Sequence, residues 1–195
     1  MLGKAEYYRS VSMTSFEEGR KLVYEANKHR FDLTKLGATA VIPWTKENFP
    51  GIFDEVNALG NAHGQKVARC RFFVTPKNFK LNVHTDGHII DIDAYALNIP
   101  IVFAEDNHFM NWYMYDGELT NASSETYANS IFPTNPEELV VAATLTLTTP
   151  HYVKIGVFHD VGNLADTERV ILSIRFTDSF PLTKLEYEQN NKRTQ

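Results

Sequence analysis

Leu81-Asn82-Val83-His84-Thr85-Asp86-Gly87 is the stretch that decides how this chain reads. A short alternating run meets a turn at Gly87, and its last two polar side chains sit two positions apart. Residues two apart on a strand project from the same face, so His84 and Asp86 are expected side by side at a strand end. His159, far along the chain, supplies a second imidazole, and Arg169 follows ten residues later. Two imidazoles and one carboxylate hold Fe(II) while leaving coordination positions open. The arginine adds what that set lacks, a cation able to grip a carboxylate through a forked pair of N–H bonds. Together they read as a site for iron and a keto acid.

Taken alone, His-x-Asp also fits an ordinary turn in which Asp86 bonds its own backbone. The distal half changes the balance. His159-Asp160-Val161-Gly162-Asn163 precedes Arg169-Val170-Ile171-Leu172-Ser173-Ile174-Arg175-Phe176. His159 is expected to end one strand and Arg169 to open the next, with a tight connection through Gly162-Asn163 joining them. On the second strand Ile171 and Ser173 share the face of Arg169, and Val170, Leu172 and Ile174 take the other. A hydroxyl and an aliphatic neighbour beside an arginine suit a carboxylate pocket inside a barrel. His151 is a rival distal ligand, although Val161 and not a cation stands ten residues beyond it. His88 reads as a neighbour of the site, and Asp91 and Asp93 as solvated loop carboxylates.

The composition leaves room for this site and excludes others. With 195 residues the chain suits a single domain, and 43% hydrophobic with 22% charged residues is globular, not disordered. A net charge of −5 lacks the basic footprint of a nucleic-acid binder. No stretch is long and apolar enough to span a membrane, and residues 1–6 carry no apolar signal core. The lone Cys70 has no partner for a disulfide or a zinc pair and reads as a buried small side chain. The expected setting is cytoplasmic. No Gly-rich phosphate loop and no nucleophilic triad is visible.

Two helices are expected before residue 64. One starts at Ser15, where Glu18 completes a capping-box pattern, and carries Phe16, Leu22, Val23 and Ala26 on one face. The other spans 45–59 with Thr45 as cap and Phe49, Ile52, Phe53 and Val56 buried, Pro50 interrupting its start. Strands are expected at 66–74, 81–85, 95–103, 109–115, 139–148, 152–159 and 169–176. Residues 120–138 read as a long surface loop or lid, and 186–195 as a frayed tail. The fold class is therefore mostly β with flanking helices, a jelly-roll (cupin-like, double-stranded β-helix) barrel over 65–180 with helical support from 1–64.

At this point the chain resembles the Fe(II)- and 2-oxoglutarate-dependent dioxygenases, nearest the aspartyl/asparaginyl β-hydroxylase-like and prolyl-hydroxylase-like branches. Their pattern is His-x-Asp, a long interval, then His with an Asn four residues on and an Arg about ten on, leading into an apolar strand. Here it is carried by His84, Asp86, His159, Asn163, Arg169 and the strand to Phe176. The resemblance implies that His84, Asp86 and His159 ligate iron, that Arg169 pairs with the remote carboxylate of 2-oxoglutarate, and that O2 is the third reactant. It favours Asn98 as a cosubstrate contact over a bonded structural amide; Trp112 or Tyr113 either joins the core or walls the cosubstrate or substrate cleft, and Trp112 is taken with Ser173, beside Arg169, as a cosubstrate contact. The β-hydroxylase branch carries an Arg shortly after its His-x-Asp; Ile89-Ile90-Asp91-Ile92-Asp93 holds none. The reaction implied is hydroxylation of an unactivated C–H in a small-molecule or peptide substrate, with succinate and CO2 released. A non-catalytic cupin-like module and a zinc-type hydrolase with the same ligands are the alternatives.

Overall fold

Alternation along the strands decides the layering. The computed structural model describes residues 7–86, 94–121 and 131–177. β1 (Tyr8–Ser10), α1 (Phe16–Asn27), β2 (Gly37–Ala38) and α2 (Phe53–Asn61) come first. β3 (Val67–Thr75), β4 (Phe79–Lys80), β5 (Tyr95–Val102), β6 (His108–Met114), β7 (Leu119–Asn121) and β8 (Ile131–Pro133) follow, then β9 (Val140–Leu145), β10 (His151–Lys154), β11 (His159–Asn163) and β12 (Arg169–Phe176). A 6-stranded sheet, β1-β10-β5-β12-β3-β2, lies over a 4-stranded sheet, β4-β11-β6-β9. The chain crosses between sheets from β3 to β4 to β5 to β6, and again from β9 to β10 to β11 to β12. That winding is the jelly roll, with both sheets open at their edges. Among the described residues no helix is long and apolar enough to cross a membrane.

The larger sheet buries both faces. Leu97, Ile99 and Ile101 of β5 and Val170, Leu172 and Ile174 of β12 pack with Phe16, Val23, Phe49, Ile52 and Val56 from the helical segment. The opposite face points at the smaller sheet, where Ala96, Val153 and Ile171 meet Met110, Trp112, Ala143 and Leu145. Cys70 is buried as expected; its thiol bonds the Ile42 carbonyl, and burial pushes its pKa up to about 11.

Several local expectations are corrected. Ser15 makes no cap with its own side chain. Instead the Glu55 carboxylate of α2 accepts from Ser15 N at 3.0 Å, Thr14 N at 2.7 Å and the Ser15 hydroxyl, which ties the two helices together. The buried stripe of α1 is Phe16, Gly19, Val23 and Asn27, with Leu22 exposed. The second helix begins at Phe53, because Gly51 takes φ +81 after Pro50 and breaks the preceding turn. No ladder forms over 81–85; β4 lies earlier, and His84 makes one isolated bridge. The expected strand 152–159 is split, β10 lying in one sheet and β11 in the other, so His159 opens a strand. Gly162 and Asn163 belong to β11, and Asn163 Nδ2 donates inward to the carbonyls of Thr75, Pro76 and Thr167. Within 120–138, β7 and β8 pair as a hairpin. His88, Asp91, Asp93, residues 122–130 and the tail lie outside the described residues.

Candidate metal centre and its cavity

Backbone pairing sets the three candidate ligands before their side chains are considered. His84 and His159 exchange both backbone hydrogen bonds at 2.9 Å, and Asp86 N donates to the Ile155 carbonyl at 2.9 Å. Each imidazole is then oriented from behind. His84 Nδ1 lies 2.7 Å from the Asn82 carbonyl, and His159 Nδ1 lies 2.9 Å from that of Val157. A carbonyl can only accept, so each Nδ1 carries a proton, and in the neutral tautomer that this sets Nε2 is the nitrogen left to ligate. Both Nε2 atoms face the same carboxylate oxygen, Asp86 Oδ1, at 3.5 and 3.8 Å. One donor atom from each of the three residues falls within 4.8 Å of the others.

The charge states suit a cation. Burial opposes ionisation of Asp86, but His84, His159 and Arg175 outweigh it and hold the carboxyl well below the usual range. Burial, then His84, pulls the His159 pKa down to about 4, so its imidazole is neutral at physiological pH. Neutral imidazoles and an ionised carboxylate are the forms that ligate metal.

A cavity of about 200 Å³ joins this cluster to Arg169, Asn98 and Ser173. It is smaller than drug-sized pockets (~300–1,000 Å³) and of a size for a compact diacid. Arg169 is 3% exposed, burial lowers its pKa to about 10, and its Nε has no hydrogen-bond partner. Asn98 Oδ1 is likewise buried without a partner. An arginine this buried is normally paired. Among the described residues Asp86 is the one acidic group on the cavity wall, and Arg175 already bonds it.

Sequence reasoning placed His84, Asp86, His159, Arg169, Asn98 and Ser173 in one site, and the structure brings all six to one cavity. His159 and Arg169 meet across it from opposite sheets, not through a tight turn. Trp112 is a correction. It is the antiparallel partner of His159 but is fully buried; its Nε1 donates to the Lys154 carbonyl at 2.7 Å, its ring stacks on Tyr8, and it does not line the cavity. His151 bonds the Thr149 carbonyl and stands apart from the donor cluster. Arg175 was missed. It donates to Asp86 Oδ2 at 2.7 Å, and the signal was present, since it continues the alternation Arg169, Ile171, Ser173.

No family model matches the sequence, and no curated protein matches it. Solved structures do. AviO1 from Streptomyces viridochromogenes Tue57 is 10% identical with a TM-score of 0.51, over 88% of this chain and 90% of that one. The viral collagen prolyl hydroxylase of Paramecium Bursaria Chlorella virus-1, solved with 2OG, is 13% identical with a TM-score of 0.44, over 87% and 94%. An oxidoreductase of the 2OG-Fe(II) oxygenase family from Burkholderia pseudomallei is 15% identical with a TM-score of 0.37, over 69% of this chain and 61% of its own length. At 10% identity the likeness to AviO1 is one of fold.

Proposed function

We propose that this chain is an Fe(II)- and 2-oxoglutarate-dependent oxygenase that hydroxylates an unactivated C–H of a free or peptidyl amino-acid-type substrate. One observation carries the reading: two imidazole Nε2 atoms and an ionised carboxylate converge at one end of a cavity that also holds a buried, unpaired arginine. The donor set fits iron with open positions, and the orphaned guanidinium fits a dicarboxylate. A hydrolytic metal site has no use for such a cation.

His84, Asp86 and His159 would hold the metal, and Arg169 would fork onto the distal carboxylate of the keto acid. Ser173 and Asn98 flank that path and offer hydrogen bonds to it. Iron, 2-oxoglutarate and O2 together supply oxidative decarboxylation, giving succinate, CO2 and one oxygen atom for the C–H bond. The chain's own part is to orient the reactants and keep water out: Met110, Val161 and Ile171 give the cavity apolar walls. The carbonyls of Asn82 and Val157 keep the imidazoles aimed. The same proposal treats 1–195 as one catalytic domain working in the cytoplasm on a small-molecule or peptide substrate, without nucleic acid.

The test is an anaerobic titration of metal-stripped protein with Fe(II) and then 2-oxoglutarate, following the visible charge-transfer band of the chelate. A band is expected, absent in Asp86→Ala and weakened in Arg169→Ala. Folded, iron-loaded protein that gives no band would sink the proposal.

A further inference from the structure

The inner face of β12 carries a second cation, and β3 adds two more beside it. Arg175 is the antiparallel partner of Arg69, and Ser173 is the partner of Arg71. Directly opposed residues share a face of the sheet. Arg69, Arg71 and Arg175 therefore project together from the cavity side, at the end where Asp86 stands.

This arrangement is unfavourable unless an anion completes it, because like charges directly opposite destabilise a strand pair. Asp86 answers Arg175 alone. Among the described residues Arg69 and Arg71 have no carboxylate partner, and the Nε of Arg71 is buried with no hydrogen bond. A polar row leads across the larger sheet to this corner: Ser10, His151, Asn98, Ser173 and Arg71 are successive cross-strand partners. Arg169 stands six residues up β12 from Arg175, about 20 Å along a strand, so the two cationic ends are separate.

We propose that Arg69 and Arg71, next to the Asp86–Arg175 pair, bind the carboxylate of an acidic substrate and so present its neighbouring C–H to the metal centre. This rests on the oxygenase reading above for its chemistry, but the anion site itself is a property of these arginines. Guanidinium forks match a carboxylate in two parallel bonds, and Arg69 is exposed while Arg71 is half-buried, as an entry and an anchor would be.

The test uses N-acetylaspartate and N-acetylasparagine, which differ by one charge. Each is titrated calorimetrically into protein loaded with Mn(II) and 2-oxoglutarate under argon, and into metal-free protein. The acid is expected to bind about tenfold more tightly than the amide, and Arg71→Ala and Arg69→Ala each to lose about tenfold for the acid alone. Arg71→Lys should keep part of the preference, and 2-oxoglutarate affinity should be unchanged in all three. Exposed Arg69 can be removed without harm to the core, so that variant guards against a folding artefact. Equal binding of acid and amide overturns the proposal, as does a loss of 2-oxoglutarate affinity in place of acid affinity. Metal and 2-oxoglutarate binding without acid preference defeats this inference alone. Arginine-dependent acid preference in protein that binds no metal defeats the oxygenase reading and leaves the anion site standing.

Discussion

Arg175 donates to Asp86 at 2.7 Å, and this bond ties the end of the last strand to the carboxylate of the His-x-Asp motif. Asp86 thereby has one oxygen held by a guanidinium and the other facing the two imidazoles. The carboxylate is fixed in direction before any metal arrives. Arg169 begins the same strand at the other end of the cavity, so one strand sets both poles of the site.

Arg175→Gln should weaken divalent-metal binding by about tenfold, the usual order for losing a group that orients a ligand. Competition of Fe(II) or Co(II) against a chelating dye measures it. Tighter binding in the variant would show instead that Arg175 competes with metal for Asp86.

Arg169→Met should move stability and function in opposite directions. The guanidinium is buried without a counter-ion among the described residues, so replacing it with an apolar chain of similar length should stabilise the ligand-free protein by about 1–2 kcal/mol. The same change should cost 2-oxoglutarate about a hundredfold in affinity. Urea unfolding and the charge-transfer titration read the two effects separately. A destabilised variant would mean that Arg169 already has a partner.

Metal-free protein should lose stability on acidification through the window from pH 6.5 to about 4. Burial, then Arg169, holds His108 neutral down to about 4, and burial, then His84, does so for His159, against an ordinary value of 6.5. Across that window the unfolded chain binds protons that the folded chain refuses, so stability rises with pH and is fully present above 6.5. Thermal melts between pH 4 and 8 test this, and His108→Gln should flatten the slope. A Tm unchanged between pH 4 and 7 contradicts it.

Gly51→Ala should destabilise the fold by about 2–4 kcal/mol. Its φ is +81, and an added Cβ would stand 2.8 Å from the Cα of Gly19 in α1, a backbone atom that cannot swing aside. Gly64, also at positive φ, has open space around its position, so Gly64→Ala should cost only the backbone strain. Chemical denaturation of both variants separates crowding from strain.

The strand faces were legible in the sequence. Alternation put Val170, Leu172 and Ile174 on one side of β12 and Ile171 and Ser173 with Arg169 on the other, and the two apolar layers divide in that way. Less legible were features in which an element answers to a distant one. Ser15 and Glu18 looked like a local cap, but Glu55 takes the amides because its ionised carboxylate approaches from α2. Trp112 looked available to a cosubstrate, yet the Lys154 carbonyl, on a strand of the other sheet, claims its N–H.

The sequence by itself determined the donor types, their order along the chain and the face each occupies, because side-chain chemistry and a period of two are local properties. Tertiary structure alone decided that His159 opens a strand of the smaller sheet, that it faces Arg169 across a cavity, and that Arg175 braces Asp86. Those depend on which strands pair and on how the two sheets stack, and pairing brings together residues whose separation along the chain carries no information about their contact.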